Sequence, residues 1–270
     1  MKTIFVIGAV LGTLILIGWL GTQIQPDSFP ALQVESSLEE TFSIPEDLPE
    51  PVQRYYLTAY KKEVPRIDTA VVSGRGTMRV NGITLPVRWR FSYRAGEDYR
   101  HYIETTWFGI PVLRVNESYL NGTARLELPF GISEGEQVDQ GANLGLWAEM
   151  IWMPSVWLSD PDVSWTAVNS ETALLTVPFG SEKQTFTVRF DPETGLISQM
   201  ESMRYKGEES QQKVLWINQV EEYQELEGAY LPAKADLTWL DEGTPWAKLS
   251  VEEVIYNLDL EDDLQIKEEQ

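Results

Sequence analysis

One stretch in the middle of the chain constrains the fold more than any other, because it is apolar on nearly every side. Residues 143–158 read Asn-Leu-Gly-Leu-Trp-Ala-Glu-Met-Ile-Trp-Met-Pro-Ser-Val-Trp-Leu, with Glu149 as the single charge. Their pattern predicts a helix that stops at Pro154, since proline cannot donate the next hydrogen bond. A helix that is hydrophobic all round is normally enclosed. The sequence therefore predicts a central helix that plugs a sheet.

Most of the remaining chain has the pattern of antiparallel strands. The clearest hairpin joins residues 69–80 to 83–94 through Asn81-Gly82, a pair suited to a two-residue turn in which both φ angles are positive. Similar runs recur at regular spacing, as is typical of an all-β protein. The predicted fold class is mostly β: a single large curved antiparallel sheet, or half-open barrel, of about eleven to twelve strands. A short N-terminal helix from about Pro51 to Lys62 accompanies the plug helix.

The loop after residue 94 sets the register of the next strand. A two-residue loop would place Glu104 opposite Val87 on the apolar face, whereas the three-residue loop Ala95-Gly96-Glu97 avoids this conflict. The pairs expected from the longer loop are Arg94 with Asp98, Arg88 with Glu104, Trp89 with Ile103, and Phe91 with His101. The preceding two-residue turn also places Arg75 opposite Arg88, which is unfavourable between like charges.

The N-terminus predicts a transmembrane helix ahead of the sheet. Residues 4–20 are strongly apolar and long enough to cross a bilayer as a helix. No small-x-small pair follows Leu16, so an uncleaved signal anchor is favoured over a cleaved signal peptide. Lys2 precedes the run and an acidic region follows it, which places the N-terminus in the cytoplasm and the main domain outside it.

Four segments are expected along the chain. Residues 1–25 form the anchor, and residues 26–47 form an acidic, proline-marked extended spacer that holds the body off the membrane. Residues 48–258 form the β-rich half-barrel domain, and residues 259–270 form an acidic tail.

Composition excludes several classes of function. The net charge of -21 argues against nucleic acid, because phosphates require a basic footprint. The absence of cysteine excludes disulfides, thiolate metal sites and a cysteine nucleophile. His101 is the single histidine, so a metal site with several histidines is excluded as well. No cofactor, metal or catalytic residue is predicted.

His101 and Glu149 are the two titratable residues expected on apolar surfaces. His101, beside Phe91, is interpreted as a hydrogen-bonded core residue rather than a base. An enclosed Glu149 must be paired, exposed through a gap or neutral. Pairing with an arginine is favoured, and a carboxylate that faces a cavity is the alternative.

A hollow between the helix and the sheet would make these residues part of a ligand-binding site. A filled, aromatic-rich core is the alternative. The candidate cavity lining is Trp89, Phe91, His101, Ile103, Trp147, Glu149, Met150, Ile151 and Trp152.

Several short motifs, taken in order, resemble a known family. They are Leu48-Pro49, Val52-Gln-Arg-Tyr55, Gly76-Thr-Met-Arg79, Glu149-x-x-Trp152-x-Pro154, Tyr223 with Gly228 and Pro232, and Trp239 with Gly243 and Trp246. Together they resemble an uncharacterised bacterial family of membrane-anchored β-rich proteins, a domain of unknown function. Residues 223–232 also resemble the late strands of lipoprotein carriers of the LolA/LolB type. That resemblance implies a half-open barrel in which helices close an apolar hollow.

Three functions remain open at this point. The first is a membrane-anchored, extracytoplasmic binding module of the bacterial cell envelope for an apolar or lipid-like ligand, without catalysis. The alternative is an envelope scaffold that has a filled cavity and binds a protein partner. The third is a carboxylate-based glycan hydrolase in which Glu149 is one of the acids.

Overall fold

The fold is dominated by one large antiparallel sheet. A computed structural model describes residues 2–34, 36–260 and Leu264. The helices of this part of the chain are α1 (Lys2–Gly21), α2 (Glu50–Tyr60), α3 (Glu136–Glu149) and α4 (Val156–Ser159). Strands β1 (Thr41–Ser43) and β2 (Glu63–Pro65) form a small separate sheet. The large sheet contains β3 (Thr69–Val80), β4 (Ile83–Arg94), β5 (Asp98–Trp107), β6 (Ile110–Leu120), β7 (Thr123–Leu128), β8 (Gly131–Ser133), β9 (Ser164–Asn169), β10 (Thr172–Phe179), β11 (Glu182–Phe190), β12 (Ile197–Arg204), β13 (Val214–Leu226), β14 (Ala229–Trp239) and β15 (Pro245–Tyr256).

The large sheet has thirteen strands in the order β8-β7-β6-β5-β4-β3-β15-β14-β13-β12-β11-β10-β9. Neighbours in this order are consecutive in the chain except where β3 pairs with β15 and joins the two halves. Among the described residues the edge strands β8 and β9 do not pair with each other, so the sheet is open. The predicted large antiparallel sheet is confirmed, and β8 is the strand that the sequence analysis missed.

The predicted hairpin registers are confirmed. Asn81 and Gly82 have φ angles of 49° and 82° in the turn between β3 and β4. The pairs between β4 and β5 are Arg94 with Asp98, Arg88 with Glu104, Trp89 with Ile103, and Phe91 with His101. The unfavourable pair of Arg75 and Arg88 is also present. Each of these two arginines has a carboxylate partner, Glu252 for Arg75 and Glu104 for Arg88.

The central helix lies earlier in the chain than predicted. Helix α3 begins at Glu136, not at Asn143, and ends at Glu149, after which Met150–Trp152 form a 3-10 turn. Gly135 starts the helix with a φ of 115°, and the acidic side chains of Glu136 and Asp139 suit its first turn. The helix ends early because the residue before a proline is pushed away from helical angles, and Met153 has φ −135° and ψ 51°.

Helix α3 packs on the inner face of the sheet, which is the face that carries Trp89, Phe91 and Tyr93. It contacts β6 and β7 near one edge and β10 and β12 near the other. Asn143 connects the two edges: its Oδ1 accepts from the Tyr119 hydroxyl at 3.1 Å, and its Nδ2 donates to Pro178 O and Gln184 Oε1, both at 3.0 Å. All of α3 from Gly141 to Ala148 is buried, as predicted for an enclosed helix.

Successive turns of an antiparallel sheet lie at alternate ends, and the two ends differ here. We call one the closed end; it carries turns 95–97, 121–122, 191–196 and 227–228. The opposite, open end carries turns 81–82, 108–109, 129–130, 205–213 and 241–244.

Helix α2 fills the closed end. It contacts β9, β10 and β14, and its side chains Val52, Tyr55 and Tyr56 are completely buried. The Tyr56 hydroxyl donates to Pro154 O at 2.8 Å, and the Thr58 hydroxyl donates to Thr194 O at 3.1 Å in a closed-end turn. Aromatic packing and these two hydrogen bonds therefore hold this end together.

The first part of the predicted spacer, residues 26–30, lies on the outer face of the sheet. Arg75 and Arg90 donate to the carbonyl oxygens of Pro26 and Pro30 at 3.1 and 2.6 Å, and the ring of Phe29 lies 4.4 Å from the Arg88 guanidinium. The segment is thus in contact with the body over residues 26–30 instead of standing free of it. The division of the chain at residues 25, 47 and 258 stays a prediction, and most of the acidic tail lies outside the described residues.

Helix α1 ends at the open end of the sheet. The Phe108 amide donates to Gly21 O at 2.9 Å, and the Trp107 indole donates to Gly18 O at 3.0 Å. Within the part of the chain that the structure describes, no helix has the length and hydropathy needed to cross a bilayer. The transmembrane anchor stays a prediction.

Candidate functional site

A cavity of about 480 Å³ lies between α3 and the inner face of the sheet at the open end. Its deep part is formed by buried side chains of β4 and β5, and its mouth is marked by the exposed turn that carries Phe130. The walls are mainly apolar, and their larger side chains are Met78, Phe91, Ile103, Leu113, Val115, Leu126, Val138, Trp216, Leu237, Trp239, Trp246 and Leu249. Such a volume and lining are typical of small-molecule binding sites.

The side of α3 that faces this cavity includes two glycines. Gln137, Gly141, Gly145 and Glu149 follow one another at four-residue spacing, which places them on one helical face, and all four line the cavity. A methyl group built at Gly145 would meet only the Tyr99 hydroxyl, at 3.9 Å. Glycine inside a helix costs about 1 kcal/mol relative to alanine, so this stripe leaves the space beside the helix open at the expense of helix stability.

A cluster of titratable groups lies at the inner part of the cavity. His101 stacks between the rings of Phe91 and Tyr99, with centroids 3.9 and 4.0 Å away. Its Nε2 lies 3.0 Å from Glu149 Oε2, and its Nδ1 lies 3.8 Å from Glu117 Oε2. Nε2 makes no aligned hydrogen bond despite this distance, so its contact with Glu149 is an ion pair.

Tyrosine hydroxyls complete this cluster. The Tyr93 hydroxyl donates to Glu149 at 3.1 Å, and the Tyr99 hydroxyl donates to Glu117 at 2.5 Å. The partner of Glu149 is therefore a histidine and a tyrosine, not the arginine that the sequence analysis favoured. The arginines of β4 do not reach it because Arg88, Arg90 and Arg94 alternate to the outer face, away from α3.

Burial and neighbouring charges shift the pKa values of these groups in opposite directions. Burial lowers the pKa of His101, but the neighbouring Glu149 and Glu117 outweigh burial and raise that pKa to about 9. Burial raises the pKa of Glu117, but His101, Tyr99 and the charge of Arg204 outweigh it and lower that pKa to about 2. Near neutral pH this arrangement favours a protonated His101 beside an ionised Glu117.

Arg204 forms the polar part of the cavity wall closer to the mouth. Its guanidinium carbon lies 4.3 Å from the ring centre of Trp216 and 5.7 Å from that of Trp239. Its Nε is buried without a hydrogen-bond partner, and one side of the guanidinium lies against Gly141 of α3. The tryptophan rings thus hold a positive charge at the cavity by cation–π contact.

A second, smaller cavity of about 60 Å³ lies on the other side of Glu149, Leu237 and Leu249, which line both spaces. Ile151 and Trp152 contribute to its wall. No group of three or more metal-ligating side chains in the described part of the chain could hold a metal ion.

The predicted lining residues fall into three places. Phe91, His101, Ile103 and Glu149 line the larger cavity, and Glu149, Ile151 and Trp152 line the smaller one. The remaining predicted residues, Trp89, Trp147 and Met150, are fully buried in the core and line neither space. A ligand-binding role for these residues stays a prediction.

The sequence did not predict two parts of the cavity: the wall formed by β12, β13 and β14, and the face of α3 that lines the space. Arg204, Trp216 and Trp239 come from β12, β13 and β14, which reach the cavity only because the sheet brings distant strands over α3. The glycine stripe has a signal in the sequence, since Gly141 and Gly145 stand eight and four residues before Glu149. A helix predicted to begin at Asn143 contains Gly145 but leaves out Gly141, so the repeat is not visible within it.

The open end also exposes large apolar side chains, which we call the apolar rim. Phe130 at the cavity mouth is 84% exposed, and the exposed apolar residues of this end also include Ile83, Trp107, Phe108, Ile110, Val112, Leu128, Ile132 and Leu240. At the closed end the exposed apolar residues are Leu57, Val168 and Tyr230. Apolar exposure is therefore concentrated at the end where the cavity opens.

The fold is similar to those of several solved structures. The LolA superfamily protein from Nitrosomonas europaea has a TM-score of 0.50 at 10% sequence identity, with 80% of this chain and 96% of that chain covered. An outer membrane lipoprotein-sorting protein domain from Vibrio parahaemolyticus gives 0.43 at 10% identity, with 80% and 95% covered. A DUF1329 family protein from Desulfovibrio piger gives 0.42 at 11% identity, with 73% and 88% covered. The fold is thus similar to that of the LolA superfamily protein.

Within this fold class the chain belongs to DUF6544, a family of unknown function whose model matches residues 40–249. No curated protein sequence matches the chain. The resemblance expected from the motifs, to a family of unknown function and to LolA-type proteins, is confirmed.

Proposed function

We propose that this protein is a binding module that holds an apolar or lipid-like ligand in the cavity beside α3. The observation that carries the proposal is the cavity itself: about 480 Å³ of space with mainly apolar walls. Beside the inner part of the cavity α3 carries Gly145, which has no side chain to fill the space. An apolar ligand would bury this surface and be stabilised by roughly 25 cal/mol for each Å² removed from water.

The proposal includes a sheet that curves into a half-open barrel. Strands β7 and β10 each lie second from an edge of the thirteen-stranded sheet, and α3 contacts both. Neighbouring strands are about 4.8 Å apart and a helix is about 10 Å across. A flat sheet would separate these two strands by several helix diameters, so contact with both requires the sheet to bend around α3.

We place the cavity mouth towards a membrane, with the main domain outside the cytoplasm. Three observations support this orientation: the apolar run at residues 4–20, the end of α1 against Phe108 at the open end, and the apolar rim there. Fusing alkaline phosphatase, which is active only outside the cytoplasm, after Gln270 tests the localisation. An inactive fusion that is nevertheless stably produced would contradict it.

The filled-core scaffold and the hydrolase receive less support from the same geometry. A filled interior does not agree with the open space beside Gly145. A hydrolase needs one carboxyl group available to protonate the leaving group. Glu149 and Glu117 are both occupied by His101 and by tyrosine hydroxyls.

Filling the cavity from the helix side tests the binding function. In Gly145→Leu the new side chain would occupy the cavity, and in Gly145→Ala the helix gains a similar propensity while most of the space remains. Full-length proteins in identical detergent are titrated with N-phenyl-1-naphthylamine, a neutral apolar dye. Lipids that copurify are extracted and identified by mass spectrometry.

We expect wild type and Gly145→Ala to bind the dye and Gly145→Leu to lose the saturable part of the signal. Comparing variants in the same micelles cancels the dye that partitions into detergent. Equal saturable binding in all three proteins, or none in any of them, would show that the cavity does not hold apolar molecules.

A further inference from the structure

We infer that Arg204 binds the anionic group of an amphiphilic ligand whose apolar chain occupies the cavity. This inference rests on the proposed function and adds a ligand class: a single-chain or branched amphiphile that carries a carboxylate or a phosphate. Arginine suits this role because its planar guanidinium binds both groups through two parallel hydrogen bonds.

The contacts of Arg204 differ from those of the other arginines. Arg66, Arg75, Arg79, Arg88, Arg90, Arg94, Arg114, Arg125 and Arg189 each lie within ion-pair distance of a carboxylate. Arg54 and Arg100 donate to backbone carbonyls. Arg204 has no hydrogen bond or ion pair with any described residue and contacts tryptophan rings instead.

This lack of a partner is unusual for a partly buried charge. Buried charges are normally paired, because desolvation without a partner is costly. The nearest acidic group that influences Arg204 is Glu117, whose oxygens are already engaged by Tyr99 and His101. Of the other cations at the cavity, Lys206 pairs with Asp241 and Glu242, and protonated His101 lies beside Glu117 and Glu149. Among the described groups of the site, Arg204 is therefore the cation free to receive an anion.

The position of Arg204 also matches the shape of an amphiphile. Its side chain lies between the deep apolar part, near Phe91 and Ile103, and the mouth at Tyr205 and Gly207. A chain inserted past Gly145 would leave its polar end beside the guanidinium. The cation–π contacts with Trp216 and Trp239 use none of the N–H donors of the guanidinium.

Because the protein as a whole is acidic, a preference for anionic ligands would point to a local cation. A net charge of -21 repels anions at long range. A preference for an anionic over a neutral amphiphile therefore requires a local cation, and the preference should persist at high salt, where long-range repulsion is screened.

The test measures how well pairs of ligands with equal chains displace N-phenyl-1-naphthylamine from the full-length protein at pH 8. The ligands are dodecanoate, dodecyl phosphate and the neutral dodecanol, with inorganic phosphate and acetate as chainless anions. The variants are Arg204→Gln, Arg204→Lys and, as a matched control, Arg189→Gln, whose arginine pairs with Glu201 and does not line the cavity.

We expect wild type and Arg189→Gln to bind at least one anionic ligand more tightly than dodecanol by about 10-fold or more, the usual range for a hydrogen-bonded charge. Arg204→Gln should reduce this ratio to about one while dodecanol affinity changes by less than about twofold. Arg204→Lys should retain part of the preference, because lysine keeps the positive charge but lacks the planar guanidinium that makes two parallel hydrogen bonds. Acetate and inorganic phosphate should not displace the dye.

Two results would overturn the inference and leave the binding function intact. One is an anion-to-alcohol ratio that is the same in wild type and Arg204→Gln. The other is an equal loss of dodecanol and dodecanoate binding in Arg204→Gln, which would assign Arg204 to packing. Displacement by inorganic phosphate alone would assign the site to a free anion. Absence of dye binding to the wild type would remove the proposed function and the inference together.

Discussion

The closed and open ends of the sheet are built from the same strands, but different interactions occupy them. At the closed end α2 inserts Tyr55 and Tyr56 between strands and turns, and their rings are completely buried. At the open end a cavity takes the place of a helix, and Phe130 and its neighbours are exposed. Stability is therefore expected to come mainly from one end and binding from the other.

This separation follows a general property of binding sites. Regions that must admit a ligand are drawn from the less stable parts of a protein, since tight packing would exclude the ligand. Loose packing at the open end does not weaken the closed end, because the backbone hydrogen bonds between strands continue through the sheet. A protein with this fold can thus have an open cavity mouth and still have a stable core.

The largest expected contrast comes from truncating one aromatic side chain at each end. Tyr56→Ala removes a fully buried ring and the hydrogen bond to Pro154 O, and we expect it to lower the free energy of unfolding by about 3–5 kcal/mol. Phe130→Ala removes an exposed ring and should change the same quantity by less than about 0.5 kcal/mol. Chemical denaturation of both variants checks the difference. Similar losses in the two variants would show that the ends are equally important for stability.

The charge cluster at the border of the two regions should give the next largest effect, through pH. The folded pKa of His101, about 9, lies above its usual value of 6.5. The folded state therefore holds this proton more tightly, and the resulting stability is complete below pH 6.5 and lost as the pH rises through 9. The slope is at most one proton, or about 1.4 kcal/mol per pH unit.

The stability contributed by Glu117 depends on pH in the opposite direction. Its pKa falls from 4.5 to about 2, so its stabilisation is complete above pH 4.5 and lost as the pH falls through 2. Unfolding free energies of wild type and His101→Gln, measured from pH 6 to pH 10, isolate the histidine contribution as their difference. We expect this difference to shrink towards high pH, and a difference independent of pH would contradict the pairing of His101 with Glu149 and Glu117.

A smaller effect is expected where α3 joins the two edges of the sheet. Asn143→Ala removes the partners of the Tyr119 hydroxyl and of Gln184 Oε1, which are buried, and should cost about 2–3 kcal/mol. Asn169→Ala, in an exposed turn where Asn169 accepts from the Glu171 amide, is the control and should cost less than about 1 kcal/mol. Thermal unfolding compares the two, and equal shifts in Tm would argue against a connecting role for Asn143.

The sequence predicted those parts of the fold in which local chemistry decides the structure. Asn81-Gly82 predicted its hairpin because few other residues accept positive φ at both positions. The register between β4 and β5 followed from keeping Glu104 off the apolar face. Both features depend on residues that are close together in the sequence, so the sequence is sufficient to predict them.

The candidate site was only partly predictable, because it depends on contacts between distant segments. Phe91 and His101 were found as cross-strand neighbours of one hairpin, but Arg204 approaches them from the other half of the sheet. Trp147 was placed in the lining by its size, whereas the structure buries it in the core. A pattern of apolar residues shows that a side chain is buried, but not whether it faces another side chain or an empty space.

The glycine at position 145 of α3 has a consequence for how cargo size could be set among relatives. Gly145 determines how much room remains beside the helix, and it takes no part in pairing the strands. Relatives with alanine, valine or leucine at this position would accommodate progressively thinner molecules on an unchanged scaffold. Residue volume at this one position is therefore a simple criterion for sorting the family into selectivity groups.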